Sequence, residues 1–354
     1  MPDRVQQFYS CTQGAQKVVV IDLGFLGETV ALVPALWELR RHYEQASLHL
    51  VTTPIGCELA RMANCVDRCW PVEVPTANGA PAAHRVIRAL RRERFDAALN
   101  LSGDPRSVAL LAHSKARHCL APEAARRGLR NRLKIKFWAP TPAPELPLME
   151  QRRQVLAAAG FALETPRYEL RVAEEDQAWA AAQVPEEALH FALGTNHPLK
   201  EWPPEHYATL TELLLEEIPP PRIVLSGSGS AREQGLLDVY FTRVGSERVR
   251  RLREVTVGRL AAALQRCRLH VGPASGVVLL AAALGVPTVS FHRKRGPYQA
   301  WLPPGEGHHA FLVSCPCGEG AASRCVEVGR ALCLSDLTPK HVFQLIRQRY
   351  WPPR

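Results

Sequence analysis

The sequence predicts an α/β protein made of two doubly wound, Rossmann-like domains. Three observations carry this. Short β-branched runs alternate with helical patterns in both halves of the 354-residue chain. A proline-rich stretch interrupts the alternation midway, at Ala139–Pro147 (APTPAPELP). The turns from strand to helix carry glycine. Strands alternating with helices imply parallel βαβ units, and a chain of this length is sized for two domains.

The elements follow in order. Lys17–Leu23 (KVVVIDL) reads as a strand buried on both faces, because its apolar run does not alternate. The loop Gly24-Phe25-Leu26-Gly27-Glu28 comes next, then a helical pattern over Thr29–His42. Leu48–Thr52 and Phe95–Leu101 are further strands, with helices near Gly56–Met62 and Ala82–Arg92. The four prolines of Ala139–Pro147 deny that stretch a place in a helix or central strand. A helix over Met149–Ala159 and a less regular stretch to about Val184 lead into the second half. There Leu189–Leu193, Arg222–Ser226, Leu269–Gly272 and Pro287–Phe291 read as strands. Pro204–Leu214, Ala231–Phe241, Val257–Gln265, Gly276–Leu284 and Pro339–Arg349 read as helices. The expected domains are residues 1–165 and 166–354, facing each other across a cleft. In such sheets ligands bind beyond the carboxyl ends of the strands.

Bulk composition narrows the partners. The net charge of +10 favours acidic ligands such as phosphates, nucleotides, nucleic acid or an anionic membrane surface, or serves solubility alone. Arginine runs lie at Arg85–Arg94 and Arg126–Lys136, either as wet helix faces or as contacts to phosphorylated acceptor or lipid headgroups. No aromatic interleaving or reader motif supports nucleic acid. The N-terminus has no apolar core of a secretory signal. The most apolar stretch, Val271–Phe291, is broken by Pro273, Gly276, Gly285 and Pro287, so no membrane span and a cytoplasmic protein are expected. Of ten cysteines, Cys11, Cys57, Cys65, Cys69, Cys119 and Cys267 are scattered and expected to be reduced. Cys315, Cys317, Cys325 and Cys333 cluster, with spacing that suits either free thiols or one structural zinc or iron.

Four loops carry candidate chemistry. Glu28, with Gly24 and Gly27 beside it, is either a first-turn helix cap, the commoner role, or a general base. Lys200, in Asn196–Pro204, can meet a phosphate as a point charge. Ser226-Gly227-Ser228-Gly229-Ser230 is half a dinucleotide fingerprint, its third glycine replaced by Arg232. Nearby Glu233 reads as a helix-surface residue or as an acceptor for ribose hydroxyls. Ser275 and Gly276 open a helix whose free amides suit a diphosphate, or simply form a turn.

Taken in order, these segments resemble glycosyltransferase family 9, the ADP-heptose:lipopolysaccharide heptosyltransferases. VVVIDLGFLGETVALVPALWELRR resembles the family's opening strand, S-x-L-G-D loop and helix. KEWPPEHYATL resembles K-x-W-P-x-E-x-(F/W). HVGPASGVVLLAAALGVPTVSF resembles V-G-N-D-S-G-x-x-H-L-A-A-A-L-G-x-P-T-V-A-L-F, and Asp336–Val342 the closing helix. The resemblance implies a GT-B fold, with acceptor in the first domain and nucleotide sugar in the second. It implies inverting transfer of heptose from ADP-heptose to a lipopolysaccharide-type glycan, with no required metal; beside this, the basic runs leave the inner membrane surface as a further candidate partner. By position Glu28 would be the base, Lys200 would bind the diphosphate, and Ser275 and Gly276 would hold phosphate or sugar. Three positions depart: the loop aspartate is Glu28, the donor-site aspartate is Ala274, and the histidine three residues after Gly276 is Leu279. Those departures keep a second expectation open, a non-catalytic relative that binds glycan, nucleotide or a partner protein. A nicotinamide-dependent oxidoreductase is disfavoured by the incomplete glycine fingerprint.

Overall fold

The computed structural model describes residues 4–73, 81–126, 128–315 and 324–351. The chain forms two compact units, Met1–Arg171 and Val172–Arg354.

The first unit holds six parallel strands: β1 (Lys17–Ile21), β2 (Ser47–Thr52), β3 (Arg68–Pro71), β4 (Ala97–Leu99), β5 (His118–Pro122) and β6 (Phe137–Ala139). Their order is β3-β2-β1-β4-β5-β6. Val18, Val19, Val20 and Ile21 of central β1 are wholly buried, as an apolar run covered on both faces must be. The helix after β1 spans Leu26–His42, three residues earlier than its apolar pattern suggests, so Glu28 is its third residue. It packs against the helix Leu148–Ala158, which follows the proline-rich stretch.

The second unit repeats the scheme with β7 (Ala188–Ala192), β8 (Ile223–Ser226), β9 (Val249–Arg251), β10 (Cys267–Pro273), β11 (Thr288–Lys294) and β12 (His308–Ser314), ordered β12-β11-β10-β7-β8-β9. All pairings are again parallel. Its core clusters Phe191, Trp202, Tyr207, Tyr240 and Phe291 with Leu189, Val271 and Val289. Trp202 is fully buried, its ring centroid 4.7 Å from that of Phe291 and 4.8 Å from that of Tyr207, and its Nε1–H donates to Leu337 O at 2.9 Å.

In each sheet the strand order reverses beside the first strand: between β1 and β4, and between β7 and β10. Crossovers leave in opposite directions there, opening a crevice at the carboxyl ends.

Two departures from the expected elements have physical causes. The stretch before Val184 contains a helix, Glu174–Gln183. Glu174, Glu175 and Asp176 favour its N-terminus, but only Ala180 is buried, so it shows almost no apolar stripe. The strands β3, β5, β6, β9 and β12 went unassigned from the sequence because most are short, and β3, β9 and β12 are part-exposed edge strands.

Candidate functional site

The first crevice lies where β1 ends. Leu23 N–H donates to Ser107 Oγ at 2.9 Å, and Thr53 Oγ1 donates to Gly24 O at 3.2 Å, pinning the loop from two sides. Gly24 N–H donates to Asp22 Oδ1 at 2.9 Å. Glu28 Oε2 accepts Phe25 N–H at 3.1 Å, so the carboxylate does cap its helix. One oxygen is thereby fixed while Glu28 stays part-exposed. A Cβ on Gly24 would lie 2.5 Å from Glu28 Cβ and 2.9 Å from Asp22 Oδ1, so the loop admits only glycine in this geometry.

The sequence reading missed Asp22 and Arg152. Asp22 is 1% exposed and its Oδ2 has no hydrogen-bond partner. Burial pushes its carboxyl above the ordinary range, against the pull of Arg152 and the bonds from Gly24 and Ser102. Burial likewise raises Glu28, with Asp22 adding to the rise and its own amide and Arg152 opposing it. Arg152, on the Leu148–Ala158 helix, is 4% exposed and its Nε is unpartnered. An acidic residue directly after a buried strand was the available signal for Asp22; nothing local marks Arg152. Two carboxyls whose proton affinity burial raises thus lie within electrostatic reach of one arginine.

The second crevice assembles more of the expected residues. Lys200 Nζ sits 4.9 Å from the ring centroid of Trp301. Both line a cavity of about 450 Å³ with Ala274, His292, Arg293 and Tyr298. The lysine's loop is braced from behind: Glu201 accepts Thr195 N–H at 2.8 Å and pairs with Arg232, which also donates to Thr195 O. Ser275 precedes the helix Gly276–Ala283, but its hydroxyl makes no capping bond and its Oγ is a buried atom without a partner. A side chain of cap type left uncommitted at a helix N-terminus is free to meet an anion. Gly227 lies at the end of β8. There Glu233 is half-buried rather than on the open helix surface: its carboxylate folds over Gly194 and Gly227 and accepts Ser228 N–H. Leu279 is buried within its helix.

The cysteines need one correction. Cys57 and Cys69 are joined in a disulfide rather than reduced, linking the helix Pro54–Ala63 to edge strand β3. Cys65, Cys119 and Cys267 are buried thiols, and burial pushes Cys65 and Cys267 up to about 12. In the C-terminal group, Cys315 Sγ accepts from Arg293 Nη2 at 2.9 Å and lies beside Cys333, while Cys325 is fully buried. Cys317 lies outside the described residues. Among the described residues no three His, Cys, Asp or Glu side chains come together as a metal set.

The family model of glycosyltransferase family 9 (heptosyltransferase) matches residues 83–320. The chain belongs to this family. As a family-9 glycosyltransferase it is similar over nearly its whole length to characterised relatives. It is 24% identical to lipopolysaccharide heptosyltransferase 2 of Escherichia coli K12, over 93% of this chain and 97% of that one. Among solved structures, the E. coli ADP-heptose heptosyltransferase II superposes with a TM-score of 0.73 at 20% identity, covering 95% of this chain and 98% of its own. E. coli heptosyltransferase WaaC with ADP-2-deoxy-2-fluoro heptose gives 0.72 at 19% identity, covering 94% and 99%. A family-9 protein of Veillonella parvula gives 0.75 at 17%, covering 95% and 97%. The fold is therefore GT-B, as the resemblance implied. Among the described residues no helix of the glycosyltransferase is long and apolar enough to cross a membrane.

Proposed function

We propose that this glycosyltransferase moves heptose from ADP-heptose to a lipopolysaccharide core or related glycan, with inversion at the anomeric carbon. The observation that carries the reading is the cavity holding Lys200 beside the Ala274–Gly276 turn. It offers a cation next to helix amides, at the place where the strand order reverses.

In this reading Glu28 takes the proton of an acceptor hydroxyl. The freed oxygen attacks the anomeric carbon from the face opposite the nucleotide. The bond from that carbon to the diphosphate breaks, and the electron pair leaves with ADP. Lys200 and the amides opening the Gly276–Ala283 helix meet the developing negative charge. Asp22 raises Glu28's proton affinity, and Arg152 keeps the pair from becoming too basic. Gly227 and Glu233 would border the nucleoside, the carboxylate facing ribose hydroxyls.

Calorimetry with ADP, UDP and GDP tests the donor assignment. ADP should bind tightest; a protein that binds no nucleotide would be the non-catalytic relative. That alternative draws support from Ala274 and from the capping bond on Glu28. Metal has no part in the transfer proposed. A structural zinc or iron held by Cys315, Cys317, Cys325 and Cys333 is a separate proposal. Elemental analysis of the purified protein decides it, and metal-free folded protein rejects it.

We also propose that the enzyme works against the inner membrane surface. On the short helix Leu129–Lys134, Leu129 and Leu133 are 74% and 67% exposed, four residues apart, beside exposed Arg132, Lys134 and Lys136. Exposed leucines framed by cations suit an anionic lipid interface. Co-sedimentation with anionic but not neutral vesicles is expected, and Leu129→Ser with Leu133→Ser should abolish it.

A further inference from the structure

The donor cavity contains a histidine that the family resemblance does not predict. His292 is 1% exposed, and its Nδ1 is a buried atom with no hydrogen-bond partner. It lines the same cavity as Lys200 and Ala274. An unpaired buried polar atom is costly, so one at a cavity wall points to a ligand that completes it.

The surrounding bonds fix what that atom can do. His292 Nε2 is 2.9 Å from Ser290 Oγ. The Ser290 hydroxyl donates onward to His309 O at 3.5 Å. A hydroxyl has one proton to give, so Ser290 must accept from His292, and Nε2 carries the hydrogen. Nδ1 is then a lone pair. Burial and the nearby charge of Lys200 push the imidazole down to about 4, so it stays neutral at physiological pH.

Resting on the donor reading above, we infer that His292 Nδ1 accepts a hydrogen bond from a hydroxyl of the donor sugar, replacing the acceptor lost where Ala274 stands. Both side chains line one cavity, so the sugar within it reaches either. The exchange changes the chemistry of the site. A carboxylate at 274 would share the cavity with Lys200, Arg293 and Arg295 and be drawn toward them. A neutral nitrogen receives a hydroxyl and leaves those cations to the diphosphate.

The test compares two ligands and two variants. Wild type, His292→Phe and His292→Asn are titrated with ADP and with ADP-heptose. His292→Phe should weaken ADP-heptose about tenfold and leave ADP within about twofold, since only the sugar loses a bond. His292→Asn keeps an acceptor near the same place and should recover most of the loss. Should His292→Phe fail to fold, wild type is titrated with ADP-heptose analogues that each lack one hydroxyl. The analogues are also titrated against His292→Leu: one of them should bind wild type about tenfold more weakly than ADP-heptose does, and show no such loss against His292→Leu. Equal losses for ADP and ADP-heptose, or no analogue that depends on His292, overturn the histidine's role while leaving the donor assignment standing. Wild type that binds neither ligand overturns the donor assignment, and this inference with it.

Discussion

Gly24→Ala isolates the geometry of the proposed base, Glu28, from everything else in the enzyme. The added Cβ would stand 2.5 Å from Glu28 Cβ, where carbon atoms ordinarily rest about 3.5–4.0 Å apart. Relief therefore requires a relative shift of at least about 1 Å between the loop and the first turn of the helix. Asp22 Oδ1, at 2.9 Å, blocks an easy retreat the other way. Gly24 does not have a left-handed backbone, so conformational strain adds nothing to this steric effect. A displacement of about 1 Å in a catalytic group costs on the order of 10²-fold in rate, and overpacking of this kind costs about 1–3 kcal/mol in stability. The assay is ADP release from ADP-heptose with a core-glycan acceptor, alongside calorimetry with ADP alone. Turnover should fall about 100-fold while ADP affinity, set by residues of the other unit, holds. Turnover within threefold of wild type, from a folded protein, would refute the placement of Glu28 at the reacting hydroxyl.

Five further outcomes follow from the structure. Glu28 must be ionised to act, and burial raises its pKa. Turnover should therefore climb as pH rises through a value above 4.5, and Glu28→Gln should lose about 10²–10⁴-fold in rate and abolish that limb. Asp22→Asn removes a charge that raises Glu28 and should move the limb to lower pH, whereas Arg152→Met should move it higher. Because the Asp22 pKa is raised by folding, its ionisation opposes folding as pH rises; Asp22→Asn should raise Tm at neutral pH and lose that gain in acid. Lys200→Ala should weaken ADP about 10–100-fold through loss of a charge-assisted bond, and unaltered affinity would remove it from the site. Trp202→Phe strands the Leu337 carbonyl and leaves a void, which should cost about 2 kcal/mol in denaturant unfolding.

The parts of the fold that were legible are those whose signal is local. Central strands such as β1 and β7 are mostly apolar and buried on both faces, and the helix from Leu26 carries its turn residues beside it. Edge strand β9, Val-Arg-Arg, has no such pattern, because pairing with β8 defines it more than burial does. The candidate site divides the same way. Glu28, Lys200 and Ser275 lie in loops directly after strands, where the sequence order already places them at a crevice. Arg152 lies over a hundred positions from Glu28 in the chain, and only packing of its helix on Leu26–His42 brings their charges together. His292 sits within a strand, so its open nitrogen is visible only once the cavity is formed.

His190 and His270, on adjacent β7 and β10, are wholly buried with their Nδ1 atoms 2.8 Å apart, and His190 Nε2 is 2.9 Å from Ser226 Oγ on β8. Burial pushes His190 down to about 3, so neither ring is an imidazolium near neutral pH, and a single hydrogen bridges the two nitrogens. That hydrogen can trade with solvent only when the central strands part. Its resonance in proton–nitrogen NMR is thus an intrinsic clock for opening of this sheet, one that needs no ligand and no knowledge of the substrate.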